Sequence, residues 1–156
     1  MSIEIADIRD ALITQLKADT DIKNIFSTRI DYGLGKNVTL DMLPSCIRIV
    51  QLGRGVTAND AEIEAEFGSG HTWVWAHYRL HVIAIFDQSN EKTAEDAESD
   101  YDRKLRKAIT KDRELGGVVT DVDIGRTVFR THPEKDSTHY VILEITALTH
   151  EQSDVR

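Results

Sequence analysis

From Thr72 to Phe86 the side chains alternate in two registers without a break. Val74, Ala76, Tyr78, Leu80, Val82, Ala84 and Phe86 fall on one face, and Trp73, Trp75, His77, Arg79, His81, Ile83 and Ile85 on the other. A period of two belongs to a strand, whose successive side chains point to opposite sides of the sheet. Ordinary strands run to about five or six residues, so this one is expected to bend or to carry one end beyond the core. Its last half is apolar on both faces, which predicts the buried centre of a sheet.

The rest of the chain arranges itself around that strand. Ile5, Ile8, Leu12 and Leu16 recur at spacings of three and four, which predicts a helix over 4–18. Asp21 is expected to cap a single further turn carrying Ile22, Ile25 and Phe26. Gly33, Gly35, Asn37 and Pro44 mark a loop before the β-branched strand Cys46 to Gln51. Gly53, Gly55, Asn59 and Asp60 mark another loop, and Gly68-Ser69-Gly70 a third. Between them Glu62, Glu64 and Glu66 alternate with Ile63, Ala65 and Phe67, which predicts a strand with one acidic face. Ser89 is expected to open a second long helix, with Ala94, Ala97, Tyr101, Leu105, Ala108 and Ile109 as its apolar stripe. Its first turns are acidic and its last are basic, as the helix dipole favours. Gly116-Gly117 ends that segment. Strands are predicted at 118–131 and 138–149, joined by a turn at His132 to Asp136. The second is nearly continuous in β-branched residues and so is also central.

This order gives an α+β domain over residues 1–150: a mostly antiparallel sheet, two main helices packed on one face, and a projecting hairpin or loop at 53–71. Residues 151–156 read as a frayed tail. At 156 residues, 40% hydrophobic and 29% charged, the chain fits one packed domain. Its 27 acidic and 19 basic side chains leave a net charge of -8, which argues against a sequence-independent grip on nucleic acid. The apolar runs are far shorter than the roughly 20 residues of a membrane-spanning helix. No export signal is visible at Met1 to Ile5, and Cys46 stands alone, which suits a reducing cytoplasm.

Catalytic and metal-binding patterns fail one by one. His77 and His81 share a strand face but lie about 13 Å apart at 3.3 Å per residue, too far for one ion. Cys46 sits on an apolar strand with no flanking glycine turn and reads as a small buried hydrophobe. Ser69 lacks the frame of a nucleophile elbow. Gly53 and Gly55 lack the third glycine and following helix of a phosphate loop. The acids from Glu91 to Asp102 lack the spacing of a calcium loop. No catalytic residue, cofactor site or metal site is assigned, and the chain is read as not being an enzyme. Two features resist the reading of a plain monomer. The excursion from Gly53 to His71 is longer than compact domains usually leave free. Trp73 and Trp75 share one strand face with His77 and Arg79, and tryptophan and arginine are enriched among interface anchors.

The order of these parts resembles the tail terminator, or tail completion, proteins of long-tailed bacteriophages. The resemblance runs from the amphipathic N-terminal helix through the strand after Leu43-Pro44-Ser45, the hairpin region, and Val82-Ile83-Ala84-Ile85-Phe86. It continues through the helix leading into Leu115-Gly116-Gly117-Val118-Val119 and ends with Tyr140 to Thr146. It implies a structural, non-enzymatic virion protein, made in the host cytoplasm and placed in the tail or neck. Such a protein forms a ring, typically hexameric, that caps the tail tube, stops its polymerisation and offers a surface to the head connector. The implied partners are further copies of the chain, the tail tube protein and a head–tail connector or neck protein. Genome DNA passes through the ring without specific binding. Another phage neck or minor tail protein is the nearest alternative, and a small α+β ligand-binding domain or enzyme the next.

Candidate contacts to neighbouring subunits or to the tube are Arg54, Glu62, Glu64, Glu66, Trp73, Trp75, Arg103, Arg106 and Lys107. A ring of chains that each carry -8 can close only where unlike charges meet. The basic half of the second long helix, Arg103, Lys104, Arg106, Lys107 and Lys111, is the expected positive side. The hairpin acids, or Glu95 and Glu98 at the helix start, are the expected negative side. Leftover acids are expected to line the channel and repel DNA phosphates.

Overall fold

The structure, a computed structural model, describes residues 3–33, 45–57 and 71–154. Helix α1 (Ile5–Ala18) buries Ile8, Leu12 and Leu16 completely, as their spacing predicts. Asp7 closes its first turn by accepting a hydrogen bond from the Glu4 amide at 3.0 Å. Helix α2 (Thr20–Phe26) follows after one residue. Its cap is Asp19 rather than Asp21: the Asp19 carboxylate accepts from the Ile22 amide at 3.0 Å. The cap falls two residues earlier because α1 ends at Ala18 and the chain turns at once, leaving Asp21 inside the first helical turn. Helix α3 (Glu91–Thr110) is capped by Asn90, not Ser89, through a 2.9 Å bond from the Thr93 amide.

Five strands form one sheet: β1 (Ile30–Tyr32), β2 (Cys46–Thr57), β3 (His71–Asp87), β4 (Asp121–His132) and β5 (Lys135–Asp154). Their order is β1-β2-β3-β5-β4, with β1 parallel to β2 and every other pair antiparallel. The short β1 has no signal in the sequence, being three residues of no clear pattern. Strand β3 pairs with β5 from His71–Asp154 to Asp87–Thr138 without a register shift. The irregularity expected in β3 falls instead in its neighbour β2, between Gln51 and Gly53. Gly53 and Gly55 are therefore strand residues, opposite Arg79 and His77, and not a loop. Backbone pairing with β3 overrides their turn propensity.

Two other boundaries move. Residues 118–120 form the end of a turn, and β4 starts at Asp121. Leu115 turns the chain with φ of 50° while its side chain stays 3% exposed, and Gly116 and Gly117 follow at 72° and 91°. Strand β5 continues through Asp154, so Glu151 is a buried strand residue and not part of a loose tail. The predicted strand at 61–67, like the loop around it, lies outside the described residues, and so does Ser69.

All three helices pack on one face of the sheet. Their core residues meet Ile47 and Ile49 of β2, the even-numbered face of β3, and Val141, Leu143, Ile145 and Ala147 of β5. Each fully buried leucine or isoleucine there contributes about 1.5–3 kcal/mol. Tyr101 of α3 sits edge-on to both Phe26 and Phe86, with ring centroids 5.4 and 5.0 Å away. Gln15 of α1 donates to the Ala108 and Ile109 carbonyls at 2.9 and 2.8 Å, satisfying groups at the end of α3 that the helix itself leaves open. Among the described residues no helix covers the opposite sheet face. Cys46, Ile83 and Ile85 form a small apolar patch there with Val50, Tyr140 and Ile142. Cys46 is 2% exposed, as its apolar strand predicts, and burial pushes its thiol up against the lowering pull of Arg48.

Candidate functional site

The sheet is long enough for its two ends to be chemically distinct. At one end β2, β3 and β5 run alongside the start of the chain, and the inward face carries a closed polar cluster. Arg54 donates to Glu151 Oε2 at 2.7 Å and to the Tyr78 hydroxyl at 3.1 Å. The Tyr78 hydroxyl in turn has one proton to offer, with the Ile3 carbonyl at 2.7 Å and Glu151 Oε1 at 2.8 Å. The Ile3 amide donates to Glu151 Oε1 at 3.2 Å. The side chain of Glu151 is 4% exposed and that of Arg54 43%. Burial opposes ionisation of Glu151, but the bonds from Arg54, Tyr78 and Ile3 outweigh it and hold its carboxyl below the usual glutamate range. Arg54, expected at an interface, is thus committed inside its own subunit.

At the other end α3 begins beside the β4–β5 turn. A cavity of about 420 Å³ opens there, lined among others by Glu91, Glu95, Glu98, Asp136 and His139. His139 is 8% exposed and stacks on Phe86 with ring centroids 5.2 Å apart. Its Nε2 lies 2.9 Å from the Gln88 carbonyl, which only accepts, so in the neutral ring Nε2 carries the proton and Nδ1 presents a lone pair. Nδ1 has no hydrogen-bond partner and stands 3.8 Å from Glu98 Oε1. Burial raises the Glu98 carboxyl, offset in part by His139. Glu91 and Glu95 are exposed and have no ion pair among the described residues.

The basic half of α3 is less available than its sequence promises. Arg103 and Lys104 both reach Asp100, at 2.6 and 2.8 Å, and hold its carboxyl below the usual range, with Lys104 the larger influence. Arg106 reaches Asp102 at 2.9 Å and bridges to the Gly125 carbonyl and the Thr127 hydroxyl of β4. It ties helix to sheet. Lys107 and Lys111 make no ion pair among the described residues.

On the uncovered face, Trp75 packs against His150 with rings 4.7 Å apart, and Arg79 stands exposed between His77 and His81. Gly53 and Gly55, cross-strand from Arg79 and His77, leave open space where side chains would stand. Trp73 occupies the next position of that face in β3, but its side chain is not among those described. Glu62, Glu64 and Glu66 lie outside the described residues. Glu151, Tyr78 and His139 were not singled out from sequence as site residues. The inward alternation Leu143, Ile145, Ala147, Thr149, Glu151 carried the signal for the first, because it continues past the apolar residues.

Among the described residues no group of three His, Cys, Asp or Glu side chains is placed to hold a metal ion, and no helix is long and apolar enough to cross a membrane. No family model matches the chain, and no curated protein matches it. Among solved structures it is similar to a chain in "Virion of native gene transfer agent (GTA) particle". The likeness has a TM-score of 0.54, covers 96% of this chain and 100% of that one, and comes with 13% sequence identity. The two chains share a fold. At that identity the likeness speaks for architecture over nearly the full length of both chains, and the helix layer and the five-stranded sheet are what it compares.

Proposed function

We propose that this chain is a structural virion protein of the tail terminator type. Several copies, six in a closed ring, sit on the finished tail tube, stop its growth and present their far side to a head connector or neck protein. The observation that carries this reading is the fold shared with a gene transfer agent virion chain across nearly the whole of both chains. Two features of the subunit support it. Among the described residues one sheet face is covered by helices and the other is not, so front and back differ. Unlike faces meet head to tail, and head-to-tail contacts close into rings when the rotation allows. The net charge of -8 also suits a ring through which DNA slides without sticking.

Particles assembled without this protein test the reading. Overlong or ragged tails that fail to join heads are expected, with normal length restored when the purified protein is added. Tails of normal length attached to heads would overturn it. Normal tails left without heads would move the protein to the neck, as a head-closure component.

A further inference from the structure

Seven of the described arginines meet carboxylates in ion pairs within the subunit, and two places are left over.

Of the described arginines, only Arg79 and Arg130 have no carboxylate, carbonyl or amide partner, and no described lysine or arginine lines the acid cavity at the start of α3. Arg130 leaves β4 on the helix-free face, cross-strand from Tyr140, at the cavity's own end of the sheet. Arg79 lies on that same face, midway along β3 and opposite Thr146, farther along the sheet from the cavity. It is flanked by imidazoles and faces the side-chain-free backbone at Gly53. Among the described residues nothing covers its side chain, which is exposed.

The cavity has a matching deficit. Glu98 Oε1 and the His139 Nδ1 lone pair are two acceptors 3.8 Å apart, the imidazole is 8% exposed, and no described donor serves Nδ1. A proton on either group would ease that pair, and burial already raises the Glu98 carboxyl. It would leave Glu91 and Glu95 unanswered. A planar guanidinium, with five N–H donors in a fixed fork, answers several carboxylates at once.

We propose that Arg79 of one copy docks into the cavity formed by Glu91, Glu95, Glu98 and His139 at the start of α3 in the next copy. Donor and acceptor sit on opposite faces of the sheet, with Arg79 midway along β3 and the cavity at one end. The contact is therefore heterologous and leaves each copy with one free donor and one free acceptor until the ring closes. This rests on the ring reading above and names the two surfaces that meet.

Charge exchange tests it with the full chain, measuring ring yield by native mass and electron microscopy, with and without tail tubes. Arg79→Glu and Glu95→Arg are each expected to lower ring yield at least about tenfold, while the pair together recovers to within about threefold of wild type. Arg79→Gln serves as a milder second variant. The Arg79 side chain makes no hydrogen bond or ion pair among the described residues, so these chains should keep the wild-type circular dichroism and melting. Rings at wild-type yield from the single variants, or no recovery in the pair, overturn the proposal while the ring reading stands. So does loss of rings only on Lys107→Glu/Lys111→Glu, which would place a lysine of α3 in that role. A wild-type chain that forms no ring under any of these conditions overturns the ring reading and takes this contact with it.

Discussion

Glu151, buried in β5, and Glu98, partly buried on α3, stand near opposite ends of the sheet and differ in how their charge is answered. Glu151 receives an arginine, a tyrosine hydroxyl and a backbone amide, and its carboxyl is held below the usual range. Glu98 faces an imidazole lone pair at 3.8 Å, and its carboxyl is raised. Burial acts on both. Only the number and direction of donors separates them, and that decides whether a buried charge holds a fold together or waits for something outside it.

The largest expected effect comes from Glu151→Ala. It strands Arg54, the Tyr78 hydroxyl and the Ile3 amide together, and should cost about 2–3 kcal/mol, less than for a fully buried pair because Arg54 is partly exposed. In thermal melts that is a drop of roughly 5–10 °C for a chain of this size. An unchanged melting temperature would mean the cluster adds nothing to stability. The same group sets a pH dependence. Its folded carboxyl lies below its unfolded one, so its stabilisation is full above the unfolded value of about 4.3 and fades as pH falls through the folded value. Stability of Glu151→Gln should therefore fall less steeply than wild type below about pH 4.

A smaller loss is expected for Tyr78→Phe, which removes one hydroxyl bridging Arg54, Glu151 and Ile3 while leaving the ring packed: about 1–2 kcal/mol in denaturant titration. A value near zero would show that the direct Arg54–Glu151 contact suffices. The smallest change, and the opposite in sign, belongs to Glu98→Gln. An amide N–H₂ there can donate to His139 Nδ1 and carries no buried charge, so the variant should be as stable as wild type or more stable by up to about 1 kcal/mol. A clear destabilisation would mean that Glu98 is already well served, and the contrast between the two ends would collapse.

How much of this was readable beforehand follows the same division. The β3 alternation and the stripes of α1 and α3 report directly on burial, and the sheet, the helix layer and the buried Cys46 follow from them. Parallel β1 escaped because three residues carry no period. Gly53 and Gly55 were misread because turn propensity is local while strand pairing with β3 is not. The candidate charges on α3 were read by type, whereas their use is set by geometry. Asp100 and Asp102 lie three and four residues from Arg103, Lys104 and Arg106, within reach along one helix, and absorb them. Arg79 drew notice only as a neighbour of the tryptophans. Its lack of a partner among the described residues, shared with Arg130, is a property of the folded contacts and not of the local sequence.

Strands β3 and β5 share an unbroken ladder along all 17 residues of β3, a ribbon of about 56 Å at 3.3 Å per residue. Force applied along that ribbon shears every rung at the same moment, whereas force across one end would open the rungs singly, like a zip. A subunit oriented with this ribbon along the line of pull would resist stretching far better than one turned a right angle away. In any assembly under load, the direction in which such a subunit is mounted matters as much as how tightly it is held.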